Sequence, residues 1–82
     1  MTNGTADSFY KTSDLNLAGV ISVSGYLPER IEKLNEVRSA FVFRNTPELA
    51  EIVNAYWRGE ARVEPQAYWA QIKALKARLY QS

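Results

Sequence analysis

The stretch that decides the fold is Thr46–Pro65, TPELAEIVNAYWRGEARVEP, because it holds both ends of one helix and the start of another. Thr46 is a good N-cap, and Pro47 suits the first helical position, where a backbone N–H has no partner in any case. Gly59 is typical of the residue that ends a helix in the left-handed conformation. The sequence therefore predicts one helix between Pro47 and Gly59 and a second helix that begins at Pro65.

Both predicted helices carry an apolar stripe at helical spacing. The stripe of the first helix consists of Leu49, Ile52, Val53, Tyr56 and Trp57. The stripe of the second helix consists of Tyr68, Ile72, Leu75 and Leu79. These stripes predict a helical hairpin whose aromatic-rich seam is the stability core. On this interpretation, replacement of Trp57 by Ala costs about 3–5 kcal/mol.

Length and composition exclude several classes of function. A chain of 82 residues forms one domain at most, and its 46% apolar content suffices for one compact core. Ten basic and nine acidic residues give a net charge of +1, which does not by itself indicate a nucleic-acid-binding protein. The absence of Cys and His excludes disulfides, thiolate chemistry, the usual zinc sites and imidazole catalysis. The carboxylates are scattered, so we expect no enzyme, cofactor or metal.

The N-terminal part of the chain leaves one alternative open. We predict a flexible tail over residues 1–8, a single domain over residues 9–82, and a short strand at Phe9–Lys11. The alternation and β-branching of Val20–Ser24 favour a strand there. The N-cap candidates Thr12, Ser13 and Asp14 instead favour a helix over Leu15–Ser24 that buries Leu17, Ala18 and Ile21 and ends at Gly25.

The middle of the chain predicts a β-hairpin. Leu27–Lys33 alternates, although Pro28 indicates an edge position or an irregular start, and Asn35 marks a turn. In the second strand, Arg38–Arg44, one face carries Ser39, Phe41 and Phe43 and the other carries Ala40 and Val42. We predict an α+β fold in which Leu27, Ile31, Phe41 and Phe43 meet the stripe that ends at Trp57. The Ala40/Val42 face is less covered and is a candidate contact surface for a weak homodimer.

Several segments together resemble a known family of short bacterial and phage proteins, domain-of-unknown-function family 5659. They are Tyr10–Leu15, Phe41–Phe43, Thr46–Leu49, Ala55–Val63 and Leu75–Tyr80. The resemblance covers about Phe9 to Tyr80, and its most specific element is the Tyr-Trp-x-Gly-Glu-Ala run. It supports the helix over Leu15–Ser24, which completes the element order β-α-β-β-α-α predicted from the chain itself. Because no stretch resembles a signal peptide or a membrane span, we also expect a cytoplasmic location, in a bacterial host. It brings no assigned activity.

The last predicted helix holds the main candidate surface. At 100° per residue, Trp69, Lys73, Lys76 and Tyr80 share one flank beside the apolar stripe, and Arg78 is close in sequence. Interleaved aromatic and basic side chains suit nucleic acid, although such lysines also commonly border a core. Ala70, Ala74 and Ala77 form a small ridge that either admits another helix or consists of ordinary helix-favouring surface residues. Glu60 and Arg62 either contact a partner or belong to an ordinary helix end.

These features predict a small non-enzymatic protein-interaction module that acts as an adaptor, inhibitor or regulator, and the resemblance implies that it belongs to a phage or mobile element. Its partner would be a host or phage protein. The alternative is a nucleic-acid-binding accessory protein that uses the flank of the last helix. A salt titration of nucleic-acid binding discriminates the two, because phosphate contacts weaken steeply with salt.

Overall fold

A computed structural model describes residues 8–81. Its elements are β1 Phe9–Thr12, α1 Leu15–Val23, β2 Arg30–Lys33, β3 Ser39–Arg44, α2 Pro47–Trp57 and α3 Pro65–Gln81. This order confirms the predicted β-α-β-β-α-α arrangement and the α+β class. Most of the predicted tail lies outside the described residues. Ser8, its last residue, is described, and its carbonyl accepts a hydrogen bond from the Asn45 N–H at 2.9 Å.

The three strands form one antiparallel sheet in the order β1-β3-β2. Phe41 lies opposite Thr12 on one side and Ile31 on the other, and Phe43 lies opposite Tyr10. Phe41 and Phe43 are buried in the core with Leu17 and Leu49 of the helices, which shows that the helices cover this face. The most apolar strand is therefore central, where both of its edges are paired.

The segment after β1 is a helix, as the resemblance implied, and the strand alternative is wrong. Asp14 caps α1, because its Oδ1 accepts hydrogen bonds from the N–H groups of Asn16 at 2.9 Å and Leu17 at 3.2 Å. Gly25 ends the helix at φ 108°, and the Tyr26 N–H then donates to the Ile21 carbonyl. The hydrogen bonds at these two helix ends outweigh the β-propensity of the residues between them.

Helix α1 is the centre of the helical layer, and the predicted α2–α3 hairpin is wrong. Both α2 and α3 pack against α1, and they make little contact with each other. The reason is that α1 is apolar on nearly every side, with all residues from Leu17 to Ser22 buried. A helix of this kind has to be surrounded, so the sheet, α2 and α3 all pack around it.

Trp57 lies outside the core, contrary to the sequence prediction. The buried residues of α2 are Leu49 and Val53, whereas the side chain of Trp57 is 64% exposed. Trp57 is the last residue of the helix and falls at the edge of the stripe, about 70° from its centre at 100° per residue. Its ring packs edge-on against Tyr56, with a centroid distance of 5.0 Å.

The first hairpin strand is shorter than predicted. Pairing begins when the Glu29 N–H donates to the Val42 carbonyl at 2.7 Å, because Pro28 has no N–H to offer. Leu27 therefore lies before the sheet and is 64% exposed, so its predicted place in the core is wrong. The turn at Asn35 is confirmed, since Asn35 Oδ1 accepts hydrogen bonds from the N–H groups of Val37 and Arg38 at 2.9 Å.

The Ala40/Val42 face of the sheet is covered, contrary to prediction. Ala40 is 3% exposed and Val42 is 0% exposed. Lys11 and Arg30 lie opposite Val42 on the neighbouring strands, and Glu32 lies opposite Ala40, so these long side chains share the face of the two small residues. Their aliphatic parts account for the cover, and the prediction failed because it considered the central strand alone.

Candidate functional site

Local sequence determines where helix α3 begins. Glu64 caps it, since its carboxylate oxygens accept hydrogen bonds from the N–H groups of Gln66 at 3.1 Å and Ala67 at 2.7 Å. Ile72 and Leu75 are buried, as the predicted stripe required. A Cβ placed on Gly19 would lie 2.6 Å from Ile72 Cδ1, so α1 and α3 approach each other closely at this point. This contact fixes which side of α3 faces solvent.

The solvent side of α3 presents a flank that we call the α3 face, which consists of Trp69, Lys73, Lys76 and Tyr80. All four side chains are exposed, Trp69 by 54% and Tyr80 by 85%. The two aromatic residues are eleven positions apart in the helix, which corresponds to about 16 Å along its axis. The structure therefore brings these four predicted residues together on one surface, with the exposed Ala70, Ala74 and Ala77 beside them.

The lysines of the α3 face lack acidic neighbours. Helix α3 contains no acidic residue, and among residues 8–81 no carboxylate forms an ion pair with Lys73 or Lys76. The ammonium groups are therefore available to charges outside the chain.

The cations on the outer face of the sheet are already engaged. Lys11 Nζ lies 2.9 Å from Glu32 Oε1, which lowers the pKa of Glu32, and Arg44 Nε lies 3.2 Å from Glu29 Oε2. The guanidinium carbons of Arg30 and Arg44 also lie 4.9 and 5.4 Å from the centre of the Phe9 ring. This lattice of charges was not predicted, and the alternation of charged residues in Arg30–Lys33 was its only signal in the sequence. Lys11, Arg30 and Arg44 are therefore already engaged within the chain.

Arg78 does not belong to the α3 face. It falls on the opposite flank of the helix, is only partly exposed, and donates through Nη1 to the Pro28 carbonyl at 3.1 Å. The residue thus ties the end of α3 to the segment before β2. The predicted basic set is reduced from three residues to two.

Glu60 and Arg62 lie in the connection between α2 and α3. The structure around Glu60 is that of an ordinary helix C-terminus. Gly59 has φ 74°, and the Glu60 N–H donates to the Ala55 carbonyl at 2.8 Å. The Glu60 carboxylate pairs with Arg58 Nε at 2.9 Å rather than with Arg62. Arg62 is exposed, so the two predicted residues do not form one site.

Two Tyr-Trp dipeptides hold α2 and α3 to the start of α1. Tyr56 donates through its hydroxyl to Asp14 Oδ2 at 3.2 Å, and Tyr68 donates to Asn16 Oδ1 at 3.0 Å. Burial, followed by the nearby Asp14 charge, raises the pKa of both tyrosines. The tryptophan that follows each tyrosine points to solvent. The repeated dipeptide was visible in the sequence, but its division into one anchoring ring and one exposed ring was not predicted.

A groove of about 590 Å³ lies at the C-terminal end of the α3 face. It is lined by Ser13, Leu15, Glu36, Val37, Arg38, Ser39, Phe41, Leu79 and Tyr80. Its one carboxylate and one guanidinium come from the β2–β3 turn. Tyr80 thus joins the α3 face to a concave surface of mixed polarity.

Neither a cluster of metal-ligating side chains nor a membrane-spanning helix is found in the described part of the chain. Over residues 8–81, no three Asp or Glu residues lie close enough together to bind a metal ion. In the same range, none of the helices combines the length and hydrophobicity that crossing a membrane requires.

Fold and surface define a class: a small α+β domain with a helical layer on one face of a three-stranded sheet and an aromatic-basic flank on its last helix. The chain belongs to the family described as "Domain of unknown function (DUF5659)", whose model matches residues 7–81. This match confirms the resemblance seen in the sequence. No curated protein and no solved structure matches the chain.

Proposed function

We propose that this protein is a non-enzymatic protein-interaction module that binds its partner through the α3 face. The observation that carries the proposal is the exposure of Trp69 and Tyr80 on a helix whose other flank is fixed in the core. Large aromatic side chains at a surface are the residues that most often anchor a protein interface. Here they stand about 16 Å apart, which spans a typical helix or strand of a partner.

The charges of the α3 face specify the chemistry of the partner. Lys73 and Lys76 have no acidic partner within residues 8–81, so they favour an acidic surface. The exposed alanines beside them have no long side chains, and another backbone can therefore approach closely. An acidic, partly apolar segment of a protein satisfies both conditions.

Nucleic-acid binding is the second candidate, and the same two lysines favour it. Stacking of bases on Trp69 and Tyr80 would accompany phosphate contacts from Lys73 and Lys76. Because Arg78 is directed to the Pro28 carbonyl, only two cations remain on this face. Two phosphate contacts supply little affinity, which is why we place this function second.

The biological setting that we propose is a phage or mobile element within a bacterial cytoplasm. This part of the proposal rests on the sequence resemblance alone. In that setting the module would act as an adaptor, inhibitor or regulator of a host or phage protein.

Affinity capture from the native bacterial host, with and without nuclease, tests the proposal. The bait carries its tag at the N-terminus, because Tyr80 lies near the other end of the chain. We expect one protein to be recovered at the same yield after nuclease treatment. Recovery that disappears with nuclease would contradict the protein-interaction function and support the second candidate.

A further inference from the structure

The two outer helices carry opposite charges on their exposed sides. Helix α2 contains Glu48 and Glu51 and no basic residue, and both glutamates are exposed. Helix α3 contains two lysines and one arginine and no acidic residue. Arg58, directly after α2, pairs with Glu60 and so leaves the α2 glutamates unneutralised. Within one chain these charges stay apart, because α2 and α3 each pack on α1 and hardly touch.

We infer that the α3 face binds helix α2 of a second copy of this chain. The inference deepens the proposed function, because it names the occupant of the same face. Charge complementarity carries it: the acidic helix that the lysines require is present, exposed and without an ion-pairing partner among residues 8–81. A second copy presents that helix to the first.

The spacing of the charges fits an antiparallel arrangement of the two helices. Glu48 and Glu51 are three residues apart, and so are Lys73 and Lys76, which corresponds to about 4.5 Å in each helix. When the helices run in opposite directions, Glu48 of one copy meets Lys76 of the other, and Glu51 meets Lys73. The helix dipoles also attract each other in this orientation.

The contact leaves Trp57 outside. At 100° per residue, Trp57 falls about 180° from Glu48 around α2, so a helix that pairs with Glu48 and Glu51 does not cover its ring. The inference therefore rests on the charges of the two helices.

Sedimentation equilibrium at about 10–300 μM protein and low salt tests this contact. We expect the average mass to rise above 9.3 kDa with concentration, and to fall again at about 0.5 M salt, where charges are screened. The variant K73E/K76E is expected to associate at least about tenfold more weakly, and so is E48K/E51K. K33E/R62E, which changes the net charge by the same amount as K73E/K76E at two exposed residues outside α2 and α3, serves as the matched control and is expected to associate like the wild type.

Mixing the two charge variants gives the decisive result. Each variant repels itself, but K73E/K76E retains an acidic α2 and E48K/E51K retains a basic α3, while the reversed helices also attract. An equimolar mixture is therefore expected to associate about as well as the wild type. A mass that stays at 9.3 kDa for the wild type, unchanged association of K73E/K76E, or a mixture that remains monomeric would each overturn the inference.

Failure of this contact is distinguishable from failure of the proposed function. If the wild type stays monomeric but still captures a host or phage protein through the α3 face, only the second copy is excluded as the occupant. If capture does not depend on the α3 face, the proposed function fails. The masses from sedimentation equilibrium then show independently whether the chain self-associates. Circular dichroism of every variant checks that each one is folded.

Discussion

Gly19 shows how one residue position fixes the α3 face. The Cβ of an alanine there would lie 2.6 Å from Ile72 Cδ1 and 2.9 Å from Tyr68 Cε1, which is closer than packed atoms tolerate. From the sequence alone, a glycine at this position indicates only a local weakening of a helix or strand. Its role in the close approach of α1 and α3 depends on a contact with Ile72, more than 50 positions away, which no local pattern reveals.

The substitution Gly19→Ala is expected to lower the free energy of unfolding by about 1–2 kcal/mol. Overpacking costs about 1–3 kcal/mol, and the better helix propensity of Ala returns up to about 1 kcal/mol. Urea denaturation measures the difference. Ile72→Val removes the nearest methyl group, so the double variant is expected to be less destabilised than the sum of the single variants. An unchanged or increased stability of Gly19→Ala would contradict the close approach.

Trp57→Ala is expected to cost less than about 1 kcal/mol, because the side chain is 64% exposed. This replaces the sequence-based expectation of about 3–5 kcal/mol. Leu49→Ala on the same helix is the matched comparison and is expected to cost about 2–5 kcal/mol, since Leu49 is fully buried. Chemical denaturation of both variants gives the two values. Equal losses would place Trp57 in the core after all.

The tyrosine anchors predict a loss of stability at alkaline pH. Burial and the Asp14 charge raise the pKa of Tyr56 and Tyr68 in the folded state, above about 10 in the unfolded chain. Above that pH the unfolded chain releases these protons first, so the stability that is complete at neutral pH declines as pH rises. Urea melts between about pH 7 and 11 are expected to show the decline, and the double variant Tyr56→Phe/Tyr68→Phe to show a shallower one. Identical slopes would contradict the assignment.

At the scale of elements, the ends of helices could be predicted from the sequence, but the elements against which each helix packs could not. Thr46 Oγ1 accepts a hydrogen bond from the Leu49 N–H at 3.1 Å, and Gly59 has φ 74°, as the sequence indicated. Caps act within a few residues, so local sequence is enough to find them. Which helices pack together depends on the whole set of apolar surfaces. The apolar stripes of α2 and α3, which are consecutive in the sequence, suggested a hairpin. Instead both helices pack against α1, which is apolar on nearly every side.

The same difference between local and long-range interactions explains which parts of the candidate site could be predicted. Helical periodicity sufficed to place Trp69, Lys73, Lys76 and Tyr80 on one flank, because their positions depend only on the geometry of α3. It did not suffice for Arg78, whose hydrogen bond to the Pro28 carbonyl joins residues 50 positions apart. The acidic side of α2 was visible as Glu48 and Glu51, but its relation to α3 became apparent only once the two helices were seen to be separate.

At the scale of the whole molecule, the distribution of charge matters more than its sum. The net charge is +1, yet the outer sheet face pairs its cations internally and α3 leaves two lysines available. The Ala40/Val42 face, expected from the sequence to be a contact surface, is buried, and the contact surface that we propose lies on the helical layer. The change follows from the long side chains that neighbouring strands lay over Ala40 and Val42.

Direct measurement of nucleic-acid binding is expected to find none at 50 mM salt. Two lysines would give a salt dependence of only about −1.4 to −1.8 in log–log slope, together with weak affinity. Titrations with single- and double-stranded DNA and RNA, monitored by fluorescence anisotropy, measure this. Lys73→Gln/Lys76→Gln, which lies off the buried stripe and should keep the fold, is the control. Tight binding that this variant abolishes would favour the nucleic-acid function.

The central claim, that the α3 face is the binding surface, is tested most directly by capture with variants that remove its anchors. Trp69→Ala/Tyr80→Ala is compared with Trp57→Ala and the wild type, each tagged at the N-terminus and applied to nuclease-treated host lysate. We predict that the wild type recovers a partner protein and that the double variant, although folded by circular dichroism, recovers at least about tenfold less. Trp57→Ala is the control, because it removes a similarly exposed ring that lies outside the α3 face and outside the inferred α2 contact. Undiminished recovery with Trp69→Ala/Tyr80→Ala would contradict the claim.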